Sequence, residues 1–153
     1  CSFCVESPFY RWQRRLSAAD VGWAVKQAGR GSMWPVQDVS LLAYSPTGRI
    51  AQVRIRGGGR VLDVTGYEFR QLFGFDRVRS TGFAILRDAD GFILQGRGWG
   101  HGAGLCQWGA AALARRGLSA KEILAYYYPQ AELARLEERV IEPISVNEET
   151  KRR

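Results

Sequence analysis

One short glycine-rich segment carries the residues whose types and spacing are best suited to chemistry. It reads GRGWGHGAGLCQWGA (96–110) and places His101, the only histidine of the chain, between Gly100 and Gly102. Glycines on both sides permit unusual backbone angles and let a ligand approach the backbone closely. Such a histidine is either a structural residue bonded to its own loop or a residue of an active cleft, and the sequence leaves both interpretations open.

Two familiar motifs are suggested by this segment, and both fit poorly. Gly98, Gly100 and Ala103 match the G-x-G-x-x-A pattern of dinucleotide-binding proteins, but two helices follow and no second parallel strand arrives. Cys106 and His101 could act as nucleophile and base only if the loop folded back, and no orienting Asn or Asp is indicated. The segment therefore predicts neither a dinucleotide site nor a Cys-His catalytic pair.

The N-terminal cysteines leave several kinds of site open. Cys1 and Cys4 in CSFC could form a disulfide or half of a zinc site, and Cys1 could be a lipidated terminus. A thioredoxin-type redox pair is not expected because no strand precedes the motif. His101 and Cys106 could supply the two further ligands that tetrahedral zinc requires. Zinc is therefore the one cofactor that the sequence leaves open.

Local signals predict short helices around the glycine-rich segment. Capping boxes begin helices at Ser17 with Asp20, at Thr65 with Glu68 and at Ser119 with Glu122. A further helix is expected from Leu105 to Gly117.

Alternating apolar and polar runs predict strands between these helices. Two hairpins are expected at 36–57 and 82–100, joined by the turns SPTG and DADG, with one short strand at 57–66. The glycine-rich segment would leave the second hairpin and enter a helix, so its backbone N–H groups could receive an anion or a polar sugar. These elements predict a single α+β domain built from antiparallel β-hairpins and short helices.

Composition limits the class of protein and of partner. The 153 residues are 46% hydrophobic and 24% charged, which is typical of one globular domain, and no apolar stretch predicts a membrane-spanning helix. The net charge of +7, nearly all from arginine, indicates either a solvated basic surface or an acidic polymer partner. No nucleic-acid-binding motif is present, so nucleic acid is not expected, whereas an anionic glycan fits the charge.

The segment GRGWGHGAGLCQWGAAALARRGLSAKEILAYYYPQAEL (96–133) resembles the C-terminal signature of the SpoIID/LytB family of bacterial cell-wall proteins. Upstream segments are also similar to the family, among them YRWQRRLSAADVGWAV, YSPTGRIAQVRIRG, YEFRQLFG and VRSTGFAI. The resemblance implies that 1–133 is the C-terminal portion of a SpoIID/LytB-like domain, followed by a charged tail at 134–153. Cys106 stands where many members have serine, and Ala103 where many have valine.

The resemblance implies binding and remodelling of peptidoglycan glycan strands. Members include lytic transglycosylases, which cleave between N-acetylmuramic acid and N-acetylglucosamine, and an amidase enhancer. His101 and Gln107 would hydrogen-bond the sugars, Gly100 and Gly102 would allow close approach, and Trp99 or Trp108 would stack on a sugar ring. For Trp108, at the start of an alanine-rich helix, core packing is the favoured interpretation.

Three further roles are implied less directly by the resemblance. Arg70 would bind the lactyl carboxylate of muramic acid, or pair with Glu68 on its own helix, and Ser80 and its neighbour Thr81 would lie at the same cleft. Some members hold zinc in the part of the domain that precedes these segments, so Cys1 and Cys4 would be the remaining half of such a site.

The catalytic acid of the family is not expected within this chain. In active members a glutamate lies in a stretch resembling EALKAQAVAARTYA, which this sequence does not contain, and Glu68 and Glu122 are explained by helix capping. Whether the chain is part of an enzyme is therefore open. The alternative is a non-catalytic glycan-binding module or amidase enhancer, working with other cell-wall hydrolases. Action outside the cytoplasmic membrane is expected, with any membrane attachment supplied by a segment ahead of Cys1.

Overall fold

Two three-stranded antiparallel sheets frame the molecule in the computed structural model, which describes residue 3 and residues 5–134. One sheet has the strand order β1-β6-β5 and the other β2-β3-β4. The strands are β1 (Arg11–Ser17), β2 (Val36–Tyr44), β3 (Ile50–Gly57), β4 (Arg60–Thr65), β5 (Phe83–Asp88) and β6 (Gly91–Arg97). The helices are α1 (Ala18–Gln27), α2 (Gly66–Phe73), α3 (Gln107–Arg115) and α4 (Ala120–Tyr127). This arrangement confirms the predicted α+β class.

The three predicted capping boxes are present. At α1, α2 and α4 a Ser or Thr hydroxyl accepts the backbone N–H three residues on, and the acidic side chain there accepts the N–H of the cap. Both hairpins and the short strand β4 are also confirmed. The helix expected from Leu105 begins instead at Gln107, because the Sγ atom of Cys106 caps it by accepting the N–H of Gly109 at 3.4 Å.

Strand β1 was not predicted, and its residues explain why. Its two buried side chains are Trp12 and Leu16, while the residues between them, including Arg14 on the same face by alternation, are exposed. The strand lies at the edge of its sheet and pairs only with β6. Because one arginine interrupts the buried face, the apolar alternation that identifies a strand is lost.

One hydrophobic core lies between the two sheets and beneath α1 and α2. Its fully buried side chains come from most elements up to β6, and they include Leu16, Val21, Val25, Met33, Val53, Ile55, Phe69, Val78 and Leu94.

Helices α3 and α4 lie outside this core cluster. Their buried residues, Leu113 and Ile123, do not belong to it. The two helices are held to the rest of the chain by surface contacts, including the ion pair of Arg115 with Glu6 at 2.8 Å and the ring contact of Phe3 with Tyr126 at 5.8 Å. The glycine-rich loop therefore connects the core to a peripheral helical layer.

Candidate functional site

The glycine-rich loop begins where β6 ends and is fixed to the core by backbone hydrogen bonds. The N–H of Gly98 donates to the carbonyl of Tyr10 at 3.1 Å, and the N–H of Gly100 donates to the carbonyl of Arg79 at 2.8 Å. Ser80 and Gly100 also form an isolated parallel bridge. At its far end, the N–H of Leu105 donates to the Tyr128 hydroxyl at 3.0 Å. The loop is thus anchored at both ends.

Alternate residues of this loop have backbone angles that only glycine adopts easily. The φ angles are +70° at Gly98, +116° at Gly100, +83° at Gly102 and +83° at Gly104. At Gly102 a second constraint applies, because an added Cβ atom would overlap Nε and Cζ of Arg49. The guanidinium of Arg49 therefore lies directly against the loop backbone. Glycine is favoured there by conformation, and a larger residue would also require the Arg49 side chain to move.

Trp99 is held in place by an aromatic and cationic cluster. Its ring contacts Phe9 edge-on at a centroid distance of 4.6 Å, and Cζ of Arg79 lies 4.9 Å from the Phe9 centroid and 5.1 Å from that of Trp99. Nε of Arg79 is buried without a hydrogen-bond partner in the described part of the chain. Cation–π contacts with the two rings are therefore the favourable interactions of this guanidinium. Trp99 nevertheless remains 47% exposed, which leaves ring surface for a ligand.

His101 on the loop and Gln107 at the start of α3 are polar residues at the surface. Both residues are exposed, and neither side chain hydrogen-bonds to another described residue. The structural interpretation of His101, a ring bonded to its own loop, is therefore wrong for this conformation. Gln107 is the first residue of α3. This surface thus presents an imidazole and an amide without internal hydrogen-bond partners in the described chain, and Trp99 adds a partly exposed indole ring.

Ser80 supports this loop from the interior. It is completely buried, donates its hydroxyl to the carbonyl of Arg97 at 2.6 Å and accepts the N–H of Gly82 at 3.2 Å. Thr81 is also buried, and its Oγ1 receives a hydrogen bond from Arg49 at 3.4 Å. The Ser80 hydroxyl therefore fixes the backbone at the end of β6.

Arg70 is buried beneath the loop, with only 3% of its surface exposed. Nε donates to the carbonyl of Val78 at 2.9 Å and Nη2 to that of Arg79 at 2.8 Å. Burial lowers the pKa of its guanidinium. Its suggested pairing with Glu68 is not observed, because that carboxylate binds Arg30 at 2.8 Å. Arg70 thus holds the segment whose carbonyl anchors Gly100.

A broad groove that the sequence did not predict lies beside the loop. It has a cavity volume of about 880 Å³. Its lining includes Arg11 and Gln13 on β1, Gln95 and Arg97 on β6, and Arg49 after the turn between β2 and β3. Since Arg49 also contacts Gly102, the groove and the loop share this side chain. No sequence signal could have found the groove without β1.

The interpretation of Trp108 as a core residue is wrong. It is 44% exposed, so it is not the core residue that its alanine-rich helix suggested. Its helix, α3, packs against α4 at the periphery, and only Gly109 and Leu113 of that helix are buried.

The zinc hypothesis stays a prediction. Cys1 and Cys4, its proposed ligands, lie outside the described residues, as does nearly all of the tail predicted at 134–153. Within the described ranges no three His, Cys, Asp or Glu side chains are grouped to hold a metal ion.

The two glutamates assigned to helix caps are poorly suited to acid catalysis. Hydrogen bonds from the Thr65 backbone, then from the side chains of Arg30 and Thr65, lower the pKa of Glu68. Hydrogen bonds from Ser119 lower the pKa of Glu122. A carboxyl group that acts as a general acid near neutral pH needs a raised pKa, whereas the pKa of each of these two groups is lowered.

A family described as a domain of unknown function (DUF8618) matches residues 4–104 of the chain. The chain belongs to this family. The DUF8618 match includes both sheets and the loop as far as Gly104, and it ends before α3.

The DUF8618 chain is also similar to three bacterial proteins. It is 26% identical over 131 residues to stage II sporulation protein D of Bacillus subtilis, covering 84% of this chain and 35% of that protein. It is 37% identical over 68 residues to the amidase enhancer of the same organism, covering 44% and 10%. An uncharacterised protein of Brachyspira hyodysenteriae is 42% identical over 66 residues, covering 43% and 18%. These similarities confirm the predicted SpoIID-like resemblance.

The chain spans between a tenth and about a third of the length of these relatives. Within residues 3 and 5–134, no helix has the length and apolar character needed to cross a bilayer.

Proposed function

We propose that this chain binds the glycan strands of peptidoglycan and contributes one wall of the cleft of a SpoIID-like cell-wall-remodelling protein. The observation that carries the proposal is the exposure of Trp99 and His101 on the anchored loop and of Gln107 at the start of α3, with an open groove that shares Arg49 with the loop. Sugar binding requires an aromatic face and hydrogen-bonding groups without internal partners, and the loop supplies both. The names of two relatives, stage II sporulation protein D and amidase enhancer, support a role at the cell wall.

In the proposed complex each residue of the loop has a distinct task. The ring of Trp99 stacks on a sugar, while His101 and Gln107 hydrogen-bond its hydroxyl or acetamido groups. Gly100 and Gly102 let the strand approach the backbone closely. Ser80 and Arg70 are buried, so we assign them the positioning of the loop and not sugar contact.

The complete protein would act as a lytic transglycosylase on linkages between N-acetylmuramic acid and N-acetylglucosamine, outside the cytoplasmic membrane. Its acid would come from another part of the protein, because the glutamate-bearing stretch that the family resemblance implies is not in this sequence. The second candidate is a non-catalytic enhancer of a separate cell-wall hydrolase. The similarity to the amidase enhancer of Bacillus subtilis favours it.

Binding to purified sacculi tests the proposal. We expect the chain to sediment with sacculi, and His101→Ala and Trp99→Ala to weaken this binding about two- to tenfold, as the loss of a hydrogen bond or of a stacking face predicts. Trp23→Ala is the matched control, since Trp23 is 65% exposed on α1 and is not part of the loop. Equal binding by all three variants would refute the assignment to the loop.

Mass spectrometry of peptide-free glycan strands then separates the two candidates. Digestion by the complete protein that yields 1,6-anhydro ends supports the transglycosylase, whereas binding without new ends supports the enhancer.

A further inference from the structure

Two arginines lie side by side on adjacent strands that line the groove. Arg11 on β1 is the register partner of Arg97 on β6, and Gln13 is the partner of Gln95 two residues along the same face. Both arginines are exposed and line the groove. In antiparallel pairs the Cβ atoms of directly opposite residues lie about 4.5–5.5 Å apart, and like charges at such positions destabilise the sheet.

A third cation, Arg49, borders the same groove from the other sheet's hairpin. The only hydrogen bond of its guanidinium within the described chain is the long contact to Thr81 at 3.4 Å. Three basic side chains therefore converge on the groove from β1, from β6 and from the hairpin formed by β2 and β3.

No carboxylate of the described chain compensates these charges. The groove lining contains no Asp or Glu, and none of the three arginines takes part in an ion pair there. Elsewhere arginines do find acidic partners: Arg15, on the same face of β1, binds Asp88 at 2.7 Å. Arg11, Arg97 and Arg49 are therefore available to an external anion.

The chemistry of the lining defines the class of ligand. Guanidinium groups bind planar oxyanions through paired hydrogen bonds, and carboxylates fit this geometry. The amides of Gln13 and Gln95 alternate with the arginines and can both donate to and accept from sugar hydroxyl and acetamido groups. The volume of about 880 Å³ suits a polymer segment of a few residues.

We propose that Arg11, Arg97 and Arg49 form a carboxylate-binding subsite that holds the muramic acid carboxylates of a glycan strand. The charge and lining of the groove support the subsite, whereas the identity of the polymer rests on the function proposed above. The subsite makes the chain selective for strands whose carboxylates are exposed. A neutral polymer of the same sugars lacks the group that these arginines bind.

A matched pair of ligands tests the carboxylate directly. Fluorescently labelled, peptide-free glycan strands are compared with the same strands after their carboxyl groups are converted to neutral amides. By fluorescence anisotropy at one salt concentration, we expect amidation to weaken binding by the parent chain at least tenfold, as the loss of one charged hydrogen bond predicts. Equal affinity for both strands would overturn the subsite while leaving the proposed function intact. No binding of either strand would overturn the proposed function itself.

Substitutions locate the subsite. Arg11→Gln and Arg97→Gln should bind the carboxylate strands at least tenfold more weakly and lose the discrimination against amidated strands. Arg14→Gln, an exposed arginine of the same strand outside the groove, is the control and should behave as the parent. Thermal melting checks that each variant folds. We expect the Tm of Arg97→Gln to be no lower than that of the parent. If Arg14→Gln loses as much affinity as Arg97→Gln, only net charge matters and the subsite is wrong.

Labelled duplex DNA is the final arm of the experiment. Tighter binding to DNA than to carboxylate strands at the same salt concentration, lost in Arg97→Gln, would show that the groove recognises phosphate and would overturn the glycan assignment.

Discussion

Replacing Gly102 by alanine is expected to weaken ligand binding while lowering the stability of the protein only moderately. The new Cβ atom would overlap the Nε and Cζ atoms of Arg49, so this side chain must move. Arg49 is long and flexible, and the one hydrogen bond of its guanidinium in the described chain, to Thr81, is a weak contact at 3.4 Å. We therefore expect Arg49 to leave the loop and the groove at little cost, while the φ of +83° at residue 102 strains the alanine.

The size of each contribution can be estimated. An L-residue in the left-handed region costs roughly 1–2 kcal/mol. Loss of the hydrogen bond between Arg49 and Thr81 adds at most about 0.5–1.5 kcal/mol. Gly117→Ala isolates the first contribution, because Gly117 has a φ of +91° and its added Cβ would contact nothing within 4 Å. The two variants should therefore differ by less than about 1.5 kcal/mol in free energy of unfolding.

Urea denaturation followed by tryptophan fluorescence measures this difference, and anisotropy with carboxylate-bearing glycan strands measures binding. We expect Gly102→Ala to bind several-fold more weakly and Gly117→Ala to bind as the parent does. A difference in unfolding free energy above about 3 kcal/mol would show that Arg49 cannot move aside. Unchanged binding by Gly102→Ala would show that Arg49 contributes nothing to the groove.

Three other substitutions test separate parts of the structure. Arg97→Gln removes the like charge opposite Arg11 and should raise the free energy of unfolding by about 0.2–1 kcal/mol, measured by urea denaturation; a decrease would contradict the proposed repulsion. Ser80→Ala leaves the carbonyl of Arg97 without its buried donor and should cost about 1–3 kcal/mol in the same assay, so a neutral effect would refute its supporting role. Glu68 has a pKa below its ordinary value of 4.5, so its contribution to stability is present above that pH and is lost as the pH falls through the lowered pKa. Glu68→Gln should accordingly show a smaller loss of stability between neutral and acidic pH in urea midpoints, and an unchanged profile would exclude this contribution.

The features that the sequence predicted correctly depend on residues close together in the chain. A capping box joins residues three positions apart, as in Thr65 with Glu68, and a hairpin depends on a turn and the runs beside it. The glycine-rich loop was also recognisable, since its spacing reflects backbone angles set locally. Only the structure, however, shows that glycines at alternate positions of the loop have positive φ angles.

The features that were missed depend on residues far apart in the chain. Arg11 and Arg97 meet only because β1 pairs with β6, and β1 escaped prediction because Arg14 interrupts its buried face. Trp108 was misplaced for a similar reason, because its exposure depends on where α3 packs. Periodicity identifies the face of an element but not the partner that covers it.

The unfavourable arrangement of charges in the groove is itself an argument for function. Folding alone would favour an acidic partner for Arg11, such as Arg15 on the same face of β1 has in Asp88 at 2.7 Å. Instead the sheet places Arg97 opposite Arg11, and the loop provides Gly102 so that Arg49 can lie beside them. Repulsion between these arginines lowers the stability of the free protein. A bound anion relieves this repulsion and forms ion pairs with the same side chains, so binding stabilises the folded state. The same reasoning links the two proposals: Arg49 touches both the loop and the groove, so a glycan strand that engages His101 would extend naturally towards these cations.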